Sequence, residues 1–407
     1  MSINRRSVRF RNKKTKIQTL DIKIISIILL IIIFICSVVL IIKNIQNKKY
    51  ISEKQNEVNQ YISKIFEDKK IEEQSNIKYA KLTFVGDILG KNSIYESVYN
   101  KNSNTYNFST IFDEVKKYTQ KNDLCIGSLE TNFTTEAYSG SGKYNTPTSL
   151  GDSLKEIGVS LLNVANNHSL DYGSSGVINT KDFLDTIGIQ SVGTNRGEEQ
   201  RFIVKEVNGI NIAFLSYTYG VNETDGDVNK YINIIDKEKI KEDIQKAKQQ
   251  SEYICINMHW GNVDSKEVTD EQKELADFLV ENGANIILGT HPSVIQPVEI
   301  RKNQENEDVL IVYSMGNFLS DTSNMGIILD VKLIKNNQNN KVSLGKVEYT
   351  PIYLLDKGNK TQDRYKIIDV KNSLKKYSNG DTEELNKRTY KKLADEFINV
   401  GKLLESE

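Results

Sequence analysis

Three cysteines in 407 residues supply no disulfide framework. Cys125 and Cys255 each sit inside an apolar, strand-like run, where a thiol behaves as a small buried hydrophobe rather than a metal ligand. Cys36 follows bulky Phe34 and Ile35, which excludes the small-residue context that a lipidated cysteine needs. Neither sign of charge is in excess. Lys+Arg and Asp+Glu number 54 each, so composition points to no nucleic-acid or polyanion partner. Tryptophan occurs once, at Trp260, and histidine three times. All three histidines follow apolar runs: LLNVANNH ends at His168, YICINMHWG carries His259 and NIILGTHP carries His291.

The charge is uneven along the chain. Residues 1–23 hold eight Lys and Arg against the single acid Asp21, and Ile24 to Ile42 then runs without a charge. At ~1.5 Å per residue that run extends roughly 28 Å, close to the hydrocarbon thickness of a bilayer. The basic flank predicts a cytoplasmic N-terminus and an external remainder. The following KNIQNKKY offers no small-residue cleavage site, so the reading is an uncleaved anchor rather than a signal peptide. Residues 43–78 are polar, with Ile51, Val58, Ile62 and Ile65 at helical spacing, and predict a helical stalk.

From residue 79 to about 356 strand-like and helix-like segments alternate, predicting an α/β domain of two packed sheets flanked by helices. Residues 357–407 read as a polar linker and a terminal helix with Leu385, Leu393, Phe397, Val400 and Leu404 on one face. Within the domain, KLTFVGD ends at Asp87 and DLCIGSLETN carries Glu130 and Asn132. With the three histidine segments these make five loops that present polar ligands after buried strands, the layout of a metal-centred hydrolase. His259 and His291 are ligand candidates because neutral imidazole suits Mn, Fe or Zn. Asp87 follows a strand and a glycine, where a carboxylate can hold a hard cation, and Glu130 bridges two metals or holds one. The GSGK around Gly140 lacks the remaining residues of a phosphate loop.

VGDILG (85–90), SLETN (128–132), NVANNHSLDYG (163–173), MHWG (258–261), GTHPSVIQPVE (289–299) and YSMGNF (313–318) resemble, in order, the motifs of the CapA family of poly-γ-glutamate capsule proteins. The resemblance implies a branch of the calcineurin-like metallophosphatases: a β-sandwich with helices on both outer faces and an N-terminal transmembrane helix. It also implies that Asn167 ligates metal, that His168 faces the substrate as general acid, and that Asp171 orients His168. Asn132, Asn166, Trp260 and Asn317 are expected to line the substrate pocket, although the Gly316–Asn317 turn is equally readable as structural.

Two departures narrow the expectation. Leu89 and Ser293 stand where the metallophosphatase pattern has histidines, and both of those imidazoles would serve the metal beside Asp87. Glu130, Asn167, His259 and His291 remain as a four-ligand set, predicting one divalent transition metal held more tightly than any second. The functional expectation is a single-pass cell-surface protein acting with other capsule or envelope-polymer synthesis subunits on poly-γ-glutamate or a related polymer through a phosphoesterase-like hydrolase site. The competing class is a noncatalytic polymer-binding or scaffold subunit of the same assembly.

Overall fold

The computed structural model describes residues 43, 45–59, 77–197, 200–223, 228–358 and 363–404. The expected basic segment (1–23), the expected anchor (24–42) and residues 60–76 of the expected stalk lie outside these. Among the described residues no helix is long and apolar enough to cross a membrane. The chain divides into two units at Asn59/Gln60. In the first, residues 45–59 are helical; Ile77 and Lys78, counted with the expected stalk, belong instead to the first strand of the second unit.

The second unit is a mixed α/β fold of two sheets with helices packed on them. The strands, numbered in chain order, are β1 (Ile77–Ile88), the short ribbon β2 (Tyr99–Asn100) and β3 (Thr105–Tyr106), β4 (Leu124–Leu129), the ribbon β5 (Ser139–Ser141) and β6 (Lys143–Asn145), β7 (Val159–Asn163) and β8 (Gln190–Val192). There follow β9 (Phe202–Val207), β10 (Ile210–Thr218), β11 (Tyr253–His259), β12 (Ile286–Thr290), β13 (Val298–Lys302) and β14 (Asp308–Val312). The last are β15 (Asn317–Leu319), β16 (Met325–Asn336), β17 (Lys341–Asp356) and β18 (Tyr365–Asp369). One sheet runs β18-β17-β16-β1-β4-β7-β8 with β15 added to β1, and the other runs β13-β14-β12-β11-β10-β9.

In each sheet the strands joined through helices are parallel, and those that follow one another directly, β16 to β18, β9–β10 and β13–β14, are antiparallel. Alternation along β11 shows how the layers are filled. Ile254, Ile256 and Met258 join a core with Ile240, Ile244, Ala276 and Leu279 of the helices Lys237–Lys248 and Asp270–Asn282. Cys255, Asn257 and His259 therefore face the other way. Asn257 meets Ser128 of β4 across the sheets, Oδ1 to Oγ at 3.3 Å. The helix Asp270–Asn282 starts at a reciprocal cap, with Thr269 and Gln272 satisfying each other's backbone, and stops at Gly283 in the left-handed conformation.

The stretch expected as a polar linker is not one. Tyr365, Ile367 and Ile368 build β18 on the edge of the first sheet, and the helix Val370–Ser378 follows before the terminal helix Lys387–Leu404. Polar neighbours on a five-residue strand conceal its period. Leu393, Phe397, Val400 and Leu404 are buried on the terminal helix as expected, whereas Leu385, also buried, lies just ahead of its first residue.

Candidate metal centre

The parallel strands β1, β4, β7, β11 and β12 deliver their side chains at their C-terminal ends, where such sheets leave a crevice. Asp87 is the penultimate residue of β1, Glu130 lies directly after β4, Asn167 and His168 in the loop after β7, His259 at the end of β11 and His291 just past β12. Glu130, His259 and His291 each bring one ligand atom within 4.8 Å of the others, and all three are buried. The His259 Nε2 lies 2.8 Å from Asn167 Oδ1 and 3.7 Å from Glu130 Oε1. The two imidazole rings are 4.6 Å apart.

The donor chemistry fits a divalent cation. Thr290 Oγ1 stands 3.2 Å from His259 Nδ1 and 3.4 Å from Met258 O, placed to accept from Nδ1–H while donating to that carbonyl. That tautomer leaves the Nε2 lone pair converging with two oxygen acceptors, an arrangement that a cation satisfies. Asp87 accepts the His291 backbone N–H on Oδ2 at 2.9 Å, while its Oδ1 is buried without a partner. Asn317, the register partner of Asp87 on β15, donates its amide to Ser323 O and keeps a buried, unpartnered Oδ1. His291 is held at φ 93°, a conformation costly for a residue with a side chain and common at functional sites. Burial pushes the Asp87 carboxyl up to about 7 against the pull of the His291 N–H. Burial, then the nearby Asp87 charge, hold Glu130 well above the ordinary carboxylate range. Burial holds His259 well below an ordinary imidazole and His291 down at about 4, with the neighbouring imidazoles adding to both. Two buried carboxylates that resist ionisation and two imidazoles kept neutral form a ligand set lacking only positive charge.

His168 stands at the edge of this group, 12% of its side chain exposed. Its Nδ1 lies 2.8 Å from Asp171 Oδ2, which also accepts the Tyr144 N–H at 2.7 Å. With Nδ1–H donated to Asp171, Nε2 is left with its lone pair, 3.4 Å from Asn222 Nδ2. The Tyr144 ring meets the imidazole edge-on at 4.3 Å.

The expected pocket-lining residues divide. Asn166 donates to Leu129 O and accepts the His168 N–H, and Asn132 donates to Tyr144 O and His168 O, so both brace the loops that carry ligands. Trp260 is not at the pocket wall. It is buried in the core on the helix side of β11, stacks on Tyr313 and donates Nε1–H to Tyr313 O. Sequence reading missed Thr290, Tyr144, Tyr219 and Asn222. Tyr219 is 50% exposed, with its ring 4.9 Å from His291 and 6.1 Å from His259. Asn222 reaches Asn167 and the His168 ring. Their signal was available: TYGVN follows β10 as the other polar loops follow their strands.

The chain belongs to the family described as bacterial capsule synthesis protein PGA_cap, whose model matches residues 81–322. It is similar to the capsule biosynthesis protein CapA of Bacillus anthracis, 30% identical over 262 residues, covering 59% of each chain. It is also similar to the PGA biosynthesis protein CapA of Bacillus subtilis (strain 168), 28% identical over 251 residues, covering 59% of this chain and 63% of that one. The chain thus spans about three fifths of the length of these curated relatives. Among solved structures it is similar to the calcineurin-like phosphoesterase YfkN from Bacillus subtilis, at 12% identity and a TM-score of 0.42, covering 80% of this chain and 99% of that one.

Proposed function

We propose that the domain is a metal-dependent hydrolase of capsule or envelope-polymer chemistry, carried at the outer face of the membrane by residues 24–42 and working beside other synthesis subunits on poly-γ-glutamate or a related polymer. The observation that supports the chemistry is the meeting of Glu130, Asn167, His259 and His291 beside an oriented His168–Asp171 pair. The substrate class is taken from the two CapA relatives, named for capsule and PGA biosynthesis.

A divalent transition metal bound by this set would activate a water and polarise the scissile oxygen. The chain's own residues supply the rest. Thr290 fixes the tautomer of His259, and Asp87 ties down the backbone of His291. His168 passes a proton through Nε2 to the leaving group, while Asp171 and the Tyr144 N–H hold the ring in place. Tyr219 narrows the opening over the two imidazoles.

The test is hydrolysis by the metal-loaded protein of two panels, phosphoesters and γ-glutamyl peptides, with and without a chelator. Turnover of either panel that the chelator abolishes is expected. Full metal occupancy with no turnover of either would remove the catalytic reading and leave the noncatalytic subunit.

A further inference from the structure

The GSGK segment, excluded above as a phosphate loop, forms the ribbon β5–β6 and is packed hard on the loop that follows β1. A Cβ at Gly140 would come within 2.3 Å of Asn92 N and 2.4 Å of Gly90 O. Between them sits Lys91, half-buried, with Nζ 2.6 Å from Tyr144 Oη and 5.0 Å from the centre of that ring. Tyr144 in turn touches His168 with its ring and Asp171 with its N–H. Among the described residues the hydrogen-bond partner of this ammonium is a phenol, not a carboxylate, which leaves two of its three N–H groups for a ligand. Asp87, Glu130 and Asp171 make the surroundings acidic, and the Lys91 charge acts on Glu130. Once a bound metal ionises Asp87 and Glu130, an anionic substrate group approaching them gains from a fixed cation besides that metal.

We propose that Lys91 is the anion anchor of the site: its ammonium, steadied by Tyr144, binds an oxyanion of the substrate next to the bond at which His168 acts. The shared ligand chemistry is a phosphate or a carboxylate adjoining the scissile bond. Lys91 lies two residues from Leu89, where an imidazole ligand is missing, so it supplies on that same loop a positive charge that does not depend on a second metal. The assignment rests on the hydrolase reading for its purpose, but not for its measurement, because binding is read without turnover.

The experiment is calorimetric titration of the metal-loaded full-length protein with inorganic phosphate and, separately, with γ-glutamyl-glutamate, for the unmodified chain, Lys91→Met and Lys91→Arg. Metal content and melting temperature are measured in parallel. Lys91→Met should weaken one ligand by roughly 10- to 100-fold, the range for a charged hydrogen bond, with metal content unchanged. Lys91→Arg should restore most of that affinity. Which ligand responds identifies the oxyanion. Binding of either ligand by a protein that turns over neither hydrolysis panel would overturn the hydrolase reading and leave the anchor standing. The anchor is overturned if Lys91→Met binds both ligands as the unmodified protein does, whatever its melting temperature, or if the unmodified protein binds neither.

Discussion

His259 Nε2 and Asn167 Oδ1, 92 positions apart in the chain and contributed by different sheets, lie 2.8 Å from each other. The candidate metal centre is therefore a seam: β1, β4 and β7 supply Asp87, Glu130 and Asn167 from one side, and β11 and β12 supply His259 and His291 from the other.

One transition metal should bind far more tightly than any second. Elemental analysis of the purified protein should find close to one ion per chain, and His291→Ala should lose it. Ser293→His should add binding at a second position. Two tightly held ions in the unmodified protein would mean that other donors have replaced the absent imidazoles.

Without metal, Asp87 should make the protein sensitive to alkali. Its carboxyl is raised from 3.8 to about 7 by burial, so its contribution is fully present below about pH 4 and is lost as pH rises through about 7. In chelator, the melting temperature of the unmodified protein should fall relative to Asp87→Asn between about pH 4.5 and 8. A constant difference across that range would show that Asp87 is not buried as a neutral acid.

Removing the proton-exchanging imidazole should separate turnover from metal binding. His168→Ala should keep the ion and lower turnover by about 10²- to 10⁴-fold, the usual contribution of a positioned acid. Unchanged cellular function in this variant, with loss in His259→Ala, would favour a metal that binds ligand or supports the fold.

Topology has its own test. Protease added to intact cells should release a fragment carrying residues 79–407, and the protein should otherwise stay with the membrane. A secreted form beginning after Ile42 would reject the anchor, and complete protection would reject the orientation.

The placing of the candidate ligands was legible because each stands at or just past the end of an apolar strand, and a polar side chain there has few structural reasons to be present. Trp260 was misplaced for a reason the same period reveals. With His259 facing the other sheet, its neighbours Met258 and Trp260 must both point to the helix side, and they do. Thr290 was hidden because threonine inside a strand reads as ordinary β-propensity. Tyr219 and Asn222 were hidden because the loop after β10 carries no histidine to draw notice. The ribbon contact between Tyr144 and His168 depends on a fold-back of the chain that no local period encodes.

The order in which the strands are made has a consequence for maturation. Every donor from Asp87 to His291 precedes Val312, the end of β14. The strand bearing Asp87 acquires its lateral neighbours β15 and β16 only from residues 317 to 336. Pairings that span so much chain form late in folding. A nascent chain stopped after residue 312 would hold every candidate ligand and the β1–β4 pairing but lack β15 and β16 beside the strand that bears Asp87.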